Sequence, residues 1–347
     1  MKKFSFLSSL LCLIILLVGC SHNLKDQKTS STTKPDSKFF LGTIINLDIY
    51  DKPSDKIYSD AYKRIEDLEK KMSLNISTSE LNKINSQAGI GYVKVSKDTY
   101  DVIEKSLKYS ELSNGKFDIS IGPLVKTWGI GSDHAKIPTQ TEIDSLLPLI
   151  NYKNILLNNE DHSVMLKEKG MILDLGAIAK GYVADEIAKT IKENGSSSAI
   201  INLGGNVLAV GGKDKNTPWK IGIQNPFSQR GEYIGIASVR DKSIVTSGIY
   251  ERFFKKNGVI YHHILDTHTG YPSDNNLEGV SIISDYSIDG DALSTSVFTL
   301  GVDDGMKLIN SLPGVDAIFI TKDKKVYLTD GVKKIFQLTD STFTISN

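Results

Sequence analysis

The sequence predicts an α+β fold, with mixed β-sheets and helices packed on them. Short β-branched segments alternate apolar and polar residues in the pattern of strands, and longer segments repeat apolar residues at helical spacing. The strand-like segments come in runs rather than in regular alternation with the helices, which argues against a doubly wound parallel sheet. With 347 residues, 40% of them hydrophobic, the chain can bury a substantial core.

In the first half of the chain, residues 39–50 form a β-branched run that predicts a strand. Apolar residues at helical spacing predict helices over 57–72 and 98–113, and Asn114 and Gly115 are expected to end the second helix. The other segments are a polar loop passing into a short helix (73–85), a glycine-rich stretch that forms either a pocket wall or a core-lining loop (115–131), and a hairpin (154–168).

In the second half, residues 171–192 predict a short strand that leads through Asp174 and Gly176 into a helix. Such a turn directs free backbone N–H groups at a ligand, often a phosphate, and Lys180 would add a positive charge; an ordinary strand–helix connection is the alternative. The remaining predictions are a Gly-Gly-Asn hairpin (198–210), strands at 218–224, 232–247 and 261–266, a helix at 302–312 and three closing strands.

Charge and cysteine content exclude several classes of function. Forty-one basic residues balance forty-one acidic ones, whereas a nucleic-acid-binding protein normally has a clustered basic excess. The only cysteines are Cys12 and Cys20, so the predicted folded domain has no disulfide, no thiol nucleophile and no cysteine metal site. The sequence therefore predicts no nucleic-acid partner and a domain that depends on its hydrophobic core.

The N-terminus has the pattern of an export signal. Two lysines precede an apolar run over 10–18, which is too short to span a membrane. The run ends in LVGC, which resembles a bacterial lipobox with Cys20 as the lipidated residue; the alternative is an ordinary signal peptide or membrane anchor with a chance cysteine. Removal of residues 1–19 would leave a polar tether, 20–37, that holds the protein at the extracytoplasmic face of the cell membrane through a lipid anchor.

The segment DGDALSTS, residues 289–296, predicts a loop that enters a helix. Because side chains four residues apart share a helix face, Asp291 and Thr295 would point the same way. A carboxylate beside a hydroxyl suits a hard cation such as Mg²⁺, which prefers oxygen ligands. The alternative is that Asp291 caps the helix and Thr295 packs in the core.

Seven segments, taken together and in order, resemble the ApbE family of flavin transferases: LGT (41–43), GKFDISIGPLVKTWG (115–129), LDLGAIAKGYVAD (173–185), NLGGN (202–206), TSGIYERFF (246–254), HHILDTHTGYP (262–272) and DGDALSTSVFTLG (289–301). The resemblance implies a single catalytic unit over 38–347, with a T-fold-related mixed-sheet fold.

The resemblance also implies the reaction. FAD is a substrate, and its FMN half is transferred with Mg²⁺ to a Thr or Ser hydroxyl of an exported acceptor protein, with release of AMP. Asp291, the Thr295 hydroxyl and the backbone carbonyl of Ala177 would hold Mg²⁺, with Ser294 as a further ligand. His263 would be the general base; its alternative is a structural strand histidine.

The flavin site is carried over from the same resemblance. Leu41 stands where the family commonly has methionine and would pack against a ring. The other residues placed beside FAD are Lys116, Phe117 (available for stacking), Asp118, Asp174, Lys180, Ile264 and Leu265.

Asn75 departs from the family pattern, because many members have an aromatic residue there that would stack on the flavin. An amide at this position could admit water, so hydrolysis of FAD to FMN and AMP is a second expectation. A lipoprotein that only binds flavin is a third. The set Asp291, Thr295 and His263 argues against storage alone, because storage needs neither a metal nor a base.

Overall fold

A computed structural model of the protein describes residues 36–346; the predicted signal peptide, Cys20 and most of the tether lie outside them. The helices are α1 (Asp55–Met72), α2 (Glu80–Ser86), α3 (Lys97–Leu112), α4 (Gly122–Trp128), α5 (Gln140–Leu146), α6 (Ala179–Glu193) and α7 (Ser287–Asn310). Across the described range, no helix is long and apolar enough to cross a membrane.

The strands are β1 (Asp36–Phe40), β2 (Thr43–Ile49), β3 (Val93–Lys94), β4 (Ile155–Asn158), β5 (Ser163–Leu166), β6 (Ala199–Leu203), β7 (Asn206–Val210), β8 (Trp219–Gln224), β9 (Tyr233–Val239), β10 (Lys242–Gly248), β11 (Phe253–Lys256), β12 (Val259–His262), β13 (Leu277–Ser284), β14 (Asp316–Thr321), β15 (Lys325–Leu328), β16 (Phe336–Leu338) and β17 (Thr344–Ser346).

The predicted α+β architecture with mixed sheets is confirmed. Nine strands form one sheet in the order β1-β2-β6-β7-β10-β13-β14-β15-β17, and the described strands of three smaller sheets are β16-β9-β8, β3-β5-β4 and β11-β12. The pair β15–β17 is parallel and the other neighbours in the large sheet are antiparallel. The large sheet is therefore mixed, as the sequence predicts.

The large sheet is covered on both faces, because side chains alternate along each strand. Ile282 of β13 and Phe319 of β14 point into the main core, where they join residues of α1, α6 and α7. The next residues along, Ile283 and Ile320, point to the opposite face and pack with the three-stranded sheet that contains Trp219. α7 thus lies against the sheet on the helical face, where it carries the candidate metal ligands.

Local chemistry explains where several helices begin and end. The Ser54 hydroxyl accepts from the backbone N–H of Ile57 and caps α1. α3 ends as predicted, with Asn114 and Gly115 in the left-handed region at φ 52° and 80°.

The structure corrects several predicted boundaries. Residues 39–50 contain a turn at Leu41 and Gly42, both with positive φ, so β1 and β2 form a hairpin instead of one strand. β1 begins at Asp36, inside the predicted tether. Residues 232–247 form two strands, 302–312 continues α7 beyond a non-helical Gly301, and four strands rather than three follow α7.

Two corrections affect the candidate site. The strand predicted over 261–266 ends at His262, because the following segment folds back: the Asp266 carboxylate accepts from the N–H groups of His268 and Thr269. α7 begins at Ser287, so Asp291 lies in the second helical turn, and the alternative that Asp291 caps the helix is wrong.

Candidate active site

The start of α7 packs closely on α6, and this contact positions Asp291. The backbone N–H of Gly181 in α6 donates to Asp291 Oδ2 at 2.9 Å. A Cβ atom at Gly181 would lie 2.3 Å from the Ser287 carbonyl oxygen, so only glycine allows the two helices to approach this far. Asp291 is 4% exposed, and its second oxygen, Oδ1, accepts no hydrogen bond from residues 36–346.

Asp185 supplies the N-terminal cap that α7 lacks in its own sequence. The residue before α7, Tyr286, makes no side-chain capping bond. The Asp185 carboxylate, reaching from α6, accepts from the N–H groups of Ser287 at 2.8 Å and Ile288 at 2.9 Å. Two of the four unpaired N–H groups of the helix are thereby satisfied.

Hydroxyl groups continue the cluster along α7. Ser294 donates to the Asp291 carbonyl at 2.9 Å and accepts from Ser247 of β10 at 2.8 Å. The Ser247 hydroxyl also lies 3.4 Å from Thr295 Oγ1. Sequence reasoning assigned no role to Ser247, although it belongs to the quoted TSGIYERFF segment.

Lys180 lies beside the buried carboxylate of Asp291, which favours a positive charge. Its ammonium group donates to the Gly176 carbonyl at 2.9 Å and lies 3.7 Å from Asp291 Oδ1. Ala177, whose carbonyl is a predicted ligand, follows Gly176 in the turn before α6. Carboxylate, hydroxyl and carbonyl oxygens make a donor set that fits Mg²⁺.

Residues 36–346 contain no group of three or more His, Cys, Asp or Glu side chains placed to hold a metal ion. The donor set predicted from the sequence is of another kind: it has one carboxylate, that of Asp291, and its other oxygens come from hydroxyls and the backbone.

Hydrogen bonds hold Asp174 and the residue before it, Leu173, in place. The Asp174 N–H donates to the Ile119 carbonyl at 2.7 Å, and the side chain of Asn85 accepts from the N–H of Leu173 at 2.7 Å. Asp174 Oδ1 accepts from the Gly176 N–H at 2.8 Å. Burial raises the pKa of Asp174, while the positive charges of Arg252, Lys180 and Lys126 oppose the shift.

His263 follows β12 directly, and the backbone carbonyl of Arg252 holds both its main chain and its ring. The Arg252 carbonyl accepts from the backbone N–H of His263 at 3.1 Å, and His263 Nδ1 lies 3.1 Å from the same oxygen. A carbonyl can only accept, so the neutral ring carries its proton on Nδ1 and its lone pair on Nε2. Burial, and then the charge of Arg252, lowers the pKa of His263 to about 3. The adjacent His262 is buried and bonds elsewhere, to the Ser273 carbonyl.

The segment that contains Lys116, Phe117 and Asp118 meets the segment after His263. Lys116 Nζ donates to Asp266 at 2.7 Å. Phe117 is 2% exposed and packs in the main core. Its ring is therefore not accessible for stacking on a flavin, in contrast to the expectation from the sequence. Asp118 is also buried, and its carboxylate accepts from Ser120 and from the Tyr152 N–H, which makes it a structural residue of this loop.

The remaining predicted residues differ in accessibility. Ile264 and Leu265 are buried, in the main core and beside Trp128 respectively. Leu41 lies in the β1–β2 turn, part-buried against the main core, and its N–H donates to Glu69 at 2.7 Å. Asn75 is exposed in the turn after α1, so its side chain is free to meet a ligand or water.

The structure thus brings Asp291, Ser294, Thr295 and Lys180 together at the contact of α6, α7 and β10. The positive charges of Lys180 and Arg252 both act on Asp174 and His263, which places these residues in one electrostatic neighbourhood. Arg252 is a residue that sequence reasoning missed; its only sequence indication was its place in TSGIYERFF. A site with two acids, two cations and a neutral imidazole suits a reaction between an anionic substrate and a second group that loses a proton.

The fold is shared with solved ApbE structures. The ApbE protein from Thermotoga maritima superposes with a TM-score of 0.81 at 29% identity, covering 87% of this chain and 99% of that one. The flavin transferase ApbE from Vibrio cholerae superposes with a TM-score of 0.78 at 25% identity, covering 87% and 98%.

Comparison of sequences identifies the family of the chain. The ApbE family model matches residues 41–319, and the chain belongs to the ApbE family. It is 33% identical to an FAD:protein FMN transferase from Treponema pallidum, covering 97% of this chain and 96% of that protein. It is 36% identical to another from Klebsiella pneumoniae, covering 89% and 96%.

Proposed function

We propose that this ApbE-family enzyme is an FAD:protein FMN transferase that moves FMN from FAD to a Thr or Ser hydroxyl of an exported acceptor protein. The observation that carries the proposal is the 3.1 Å contact of His263 Nδ1 with the Arg252 carbonyl, which leaves Nε2 to accept a proton, in the same charged neighbourhood as the Asp291 cluster. A base and a cation-binding acid are the two groups that such a transfer needs. The names of the relatives from T. pallidum and K. pneumoniae support the proposed substrate.

The proposed reaction is a phosphoryl-type displacement. The acceptor oxygen attacks the phosphorus on the FMN side of the pyrophosphate, and its proton passes to His263 Nε2. A new P–O bond forms as the bridging P–O bond breaks, and AMP leaves with the electron pair. The product carries FMN in a phosphodiester, so atoms and charge balance without a redox step.

Charge neutralisation is the other requirement, because the pyrophosphate is anionic and becomes more so at the leaving oxygen. Asp291, Thr295, Ser294 and the Ala177 carbonyl would hold Mg²⁺, which polarises phosphate oxygens when bound. Lys180 is placed to bind a phosphate oxygen once it exchanges its contact with Asp291. Arg252 holds the base and adds a second positive charge.

Hydrolysis is a second candidate activity, favoured by the exposed Asn75. Water in place of the acceptor hydroxyl would give free FMN and AMP by the same displacement. An aromatic ring at this position would cover the flavin and exclude water better than an amide does.

The proposed location is the extracytoplasmic face of the cell membrane, with Cys20 lipidated. The support is the sequence pattern LVGC after an apolar run. A lipid anchor and polar tether would keep the catalytic domain near exported acceptor proteins.

The proposal is tested with the purified full chain, FAD, MgCl₂ and a pool of short synthetic peptides, each with one central Thr or Ser in randomised flanks. We expect AMP release together with peptides that gain the mass of FMN. Equal amounts of free FMN and AMP without peptide would instead establish hydrolysis. Bound FAD with no turnover would contradict both enzyme activities.

Asp291→Ala is the decisive variant. Loss of the carboxylate removes several kcal/mol of charge stabilisation, so turnover should fall by about 100-fold or more. FAD binding, followed by flavin fluorescence, should persist. Asp303→Ala is the matched control, because Asp303 is an exposed acid on the same helix. Equal turnover in both variants would remove Asp291 from the mechanism.

A further inference from the structure

The hairpin β11–β12 projects from the domain and ends at the candidate base. Its strands pair only with each other among the described strands, so each has an edge without a strand partner. Its inner face is anchored: the rings of Phe254 and Tyr261 stack at 5.2 Å, and Tyr261 lies 5.7 Å from Trp128. The first residue before β11 is Arg252 and the first after β12 is His263.

The outer face of this hairpin is apolar and exposed. Phe253 and Ile260 are 46% and 39% exposed, and Val259 at the tip is 51% exposed. Phe253, Lys255 and Ile260 share the outer face, because the register pairs Lys255 with Ile260 and side chains alternate along each strand. Lys255 and Lys256 are exposed, and no acidic residue of the described chain forms an ion pair with either.

Resting on the proposed function, we propose that the exposed surface of this hairpin docks the acceptor protein. Phe253, Lys255 and Ile260 form its outer face, and Lys256 and Val259 lie beside them at the tip. The occupant is an extended acceptor segment that carries apolar and acidic side chains beside its Ser or Thr. Apolar contacts would match Phe253 and Ile260, and acidic side chains would pair with the two free lysines. An unpaired strand edge can also take an extended segment as an added strand.

The hairpin's position favours an acceptor segment over a lipid surface. Ile260 is three residues from His263, a span of about 10 Å along a strand. A segment lying on the hairpin can therefore bring its hydroxyl to the base while its apolar side chain, about three residues away, contacts Ile260. If the same face were inserted in a membrane, the lipid would cover the approach to His263.

The test uses the full chain, FAD, MgCl₂ and the randomised peptide pool, and it identifies the flanks of the peptides that gain FMN. We expect the wild-type protein to select apolar and acidic flanking residues. Phe253→Ser combined with Ile260→Ser should reduce labelling of those peptides at least tenfold. Lys255→Glu combined with Lys256→Glu should reverse the charge preference from acidic to basic flanks, a change that misfolding cannot produce.

Phe227→Ser is the matched control, because Phe227 is also exposed, at 44%, but belongs to another part of the domain. FAD fluorescence checks that each variant binds flavin. Labelled peptides without flank preference, or a preference unchanged in both double variants, would overturn the docking proposal while leaving the transferase intact. No labelled peptide from the wild-type protein would count against the proposed function itself. Loss of binding to anionic phospholipid vesicles in the variants, with peptide selection unchanged, would assign the face to the membrane instead.

Discussion

One main-chain contact defines which tautomer the neutral ring of His263 adopts. Nδ1 lies 3.1 Å from the Arg252 carbonyl, so the proton of the neutral ring is on Nδ1 and Nε2 can accept one. Burial and the charge of Arg252 lower the pKa of His263 to about 3, well below the ordinary value of 6.5. The base therefore stays neutral in the free enzyme across the physiological range.

We predict that His263→Gln lowers the rate of FMN transfer by about 100- to 10,000-fold, the usual contribution of a general base. In the wild-type enzyme, kcat/KM for FAD should show no acid limb near pH 6.5, because this constant reports the pKa values of the free enzyme. The measurement is AMP release over pH 5–8.

The pH dependence of the folding stability is an independent check on the low pKa of His263. The pKa of His263 is lower in the folded chain than in the unfolded one, so the unfolded chain binds the proton more readily. Stability from the neutral ring is present above pH 6.5 and is lost as pH falls from 6.5 toward 3. His263→Gln should lose less stability over that window, whereas His268→Gln, at an exposed position in the same motif, should behave as wild type. In the kinetic measurement, an acid limb of kcat/KM at pH 6.5 that disappears in His263→Gln would contradict the low pKa of His263.

Single residues were predictable where a short pattern fixed their chemistry. Asp291 and Thr295 share a helix face because they are four residues apart, and that spacing is visible in the sequence. The burial of Phe117 was not visible, because an aromatic residue in a glycine-rich segment can face a ligand or a core. The structure decides for the core, where the segment folds under the loop that carries Asp266.

At the scale of elements, the contact between α6 and α7 determines where the acid and hydroxyl groups lie. Gly181 permits the close approach and Asp185 caps the start of α7. The sequence predicted α6 and a helix entered from a loop within 289–296, but it carries no information on which helices touch. Both residues stand in the quoted LDLGAIAKGYVAD segment, yet neither received a role.

We predict a pH-dependent stability difference between the wild-type protein and Asp185→Asn. Burial raises the pKa of Asp185 to about 7, outweighing the N–H groups of Ile288 and Ser287 that favour the carboxylate. Because the folded pKa exceeds the unfolded value of 3.8, stability from this group is fully present below pH 3.8 and is lost as pH rises from there through 7. The wild-type protein should therefore lose stability relative to Asp185→Asn between pH 4 and 8, as measured by urea unfolding.

Asp303→Asn provides the comparison, because Asp303 is exposed and the substitution there should leave the pH dependence unchanged. A wild-type advantage over Asp185→Asn that grows with pH would mean that capping outweighs burial. Asp185→Ala, which also removes both capping bonds, should cost about 1–2 kcal/mol more than Asp185→Asn if the amide keeps those bonds, and this difference between the two variants should not depend on pH.

At the scale of the whole molecule, the α+β class was predictable but the arrangement of the sheets was not. The strand β13 was not predicted, and the two faces of the large sheet are covered by different partners, helices on one and a three-stranded sheet on the other. Strand order depends on pairings between residues far apart in sequence, such as Thr246 with Ser281. The family resemblance supplied the site, because it joined segments from 41 to 301 that local patterns cannot connect.

Because the candidate site joins α6, α7, β10 and the loop after β12, its ligands should stabilise the domain as a unit. A ligand at 100 times its dissociation constant adds about 2.7 kcal/mol to the free energy of unfolding. With a shift of about 2 °C per kcal/mol for a chain of this size, FAD with MgCl₂ should raise the unfolding temperature by several degrees. Asp291→Ala should keep the shift from FAD alone and lose the additional shift from MgCl₂. Thermal unfolding followed by circular dichroism measures both, and an undiminished MgCl₂ shift in Asp291→Ala would place the cation away from α7.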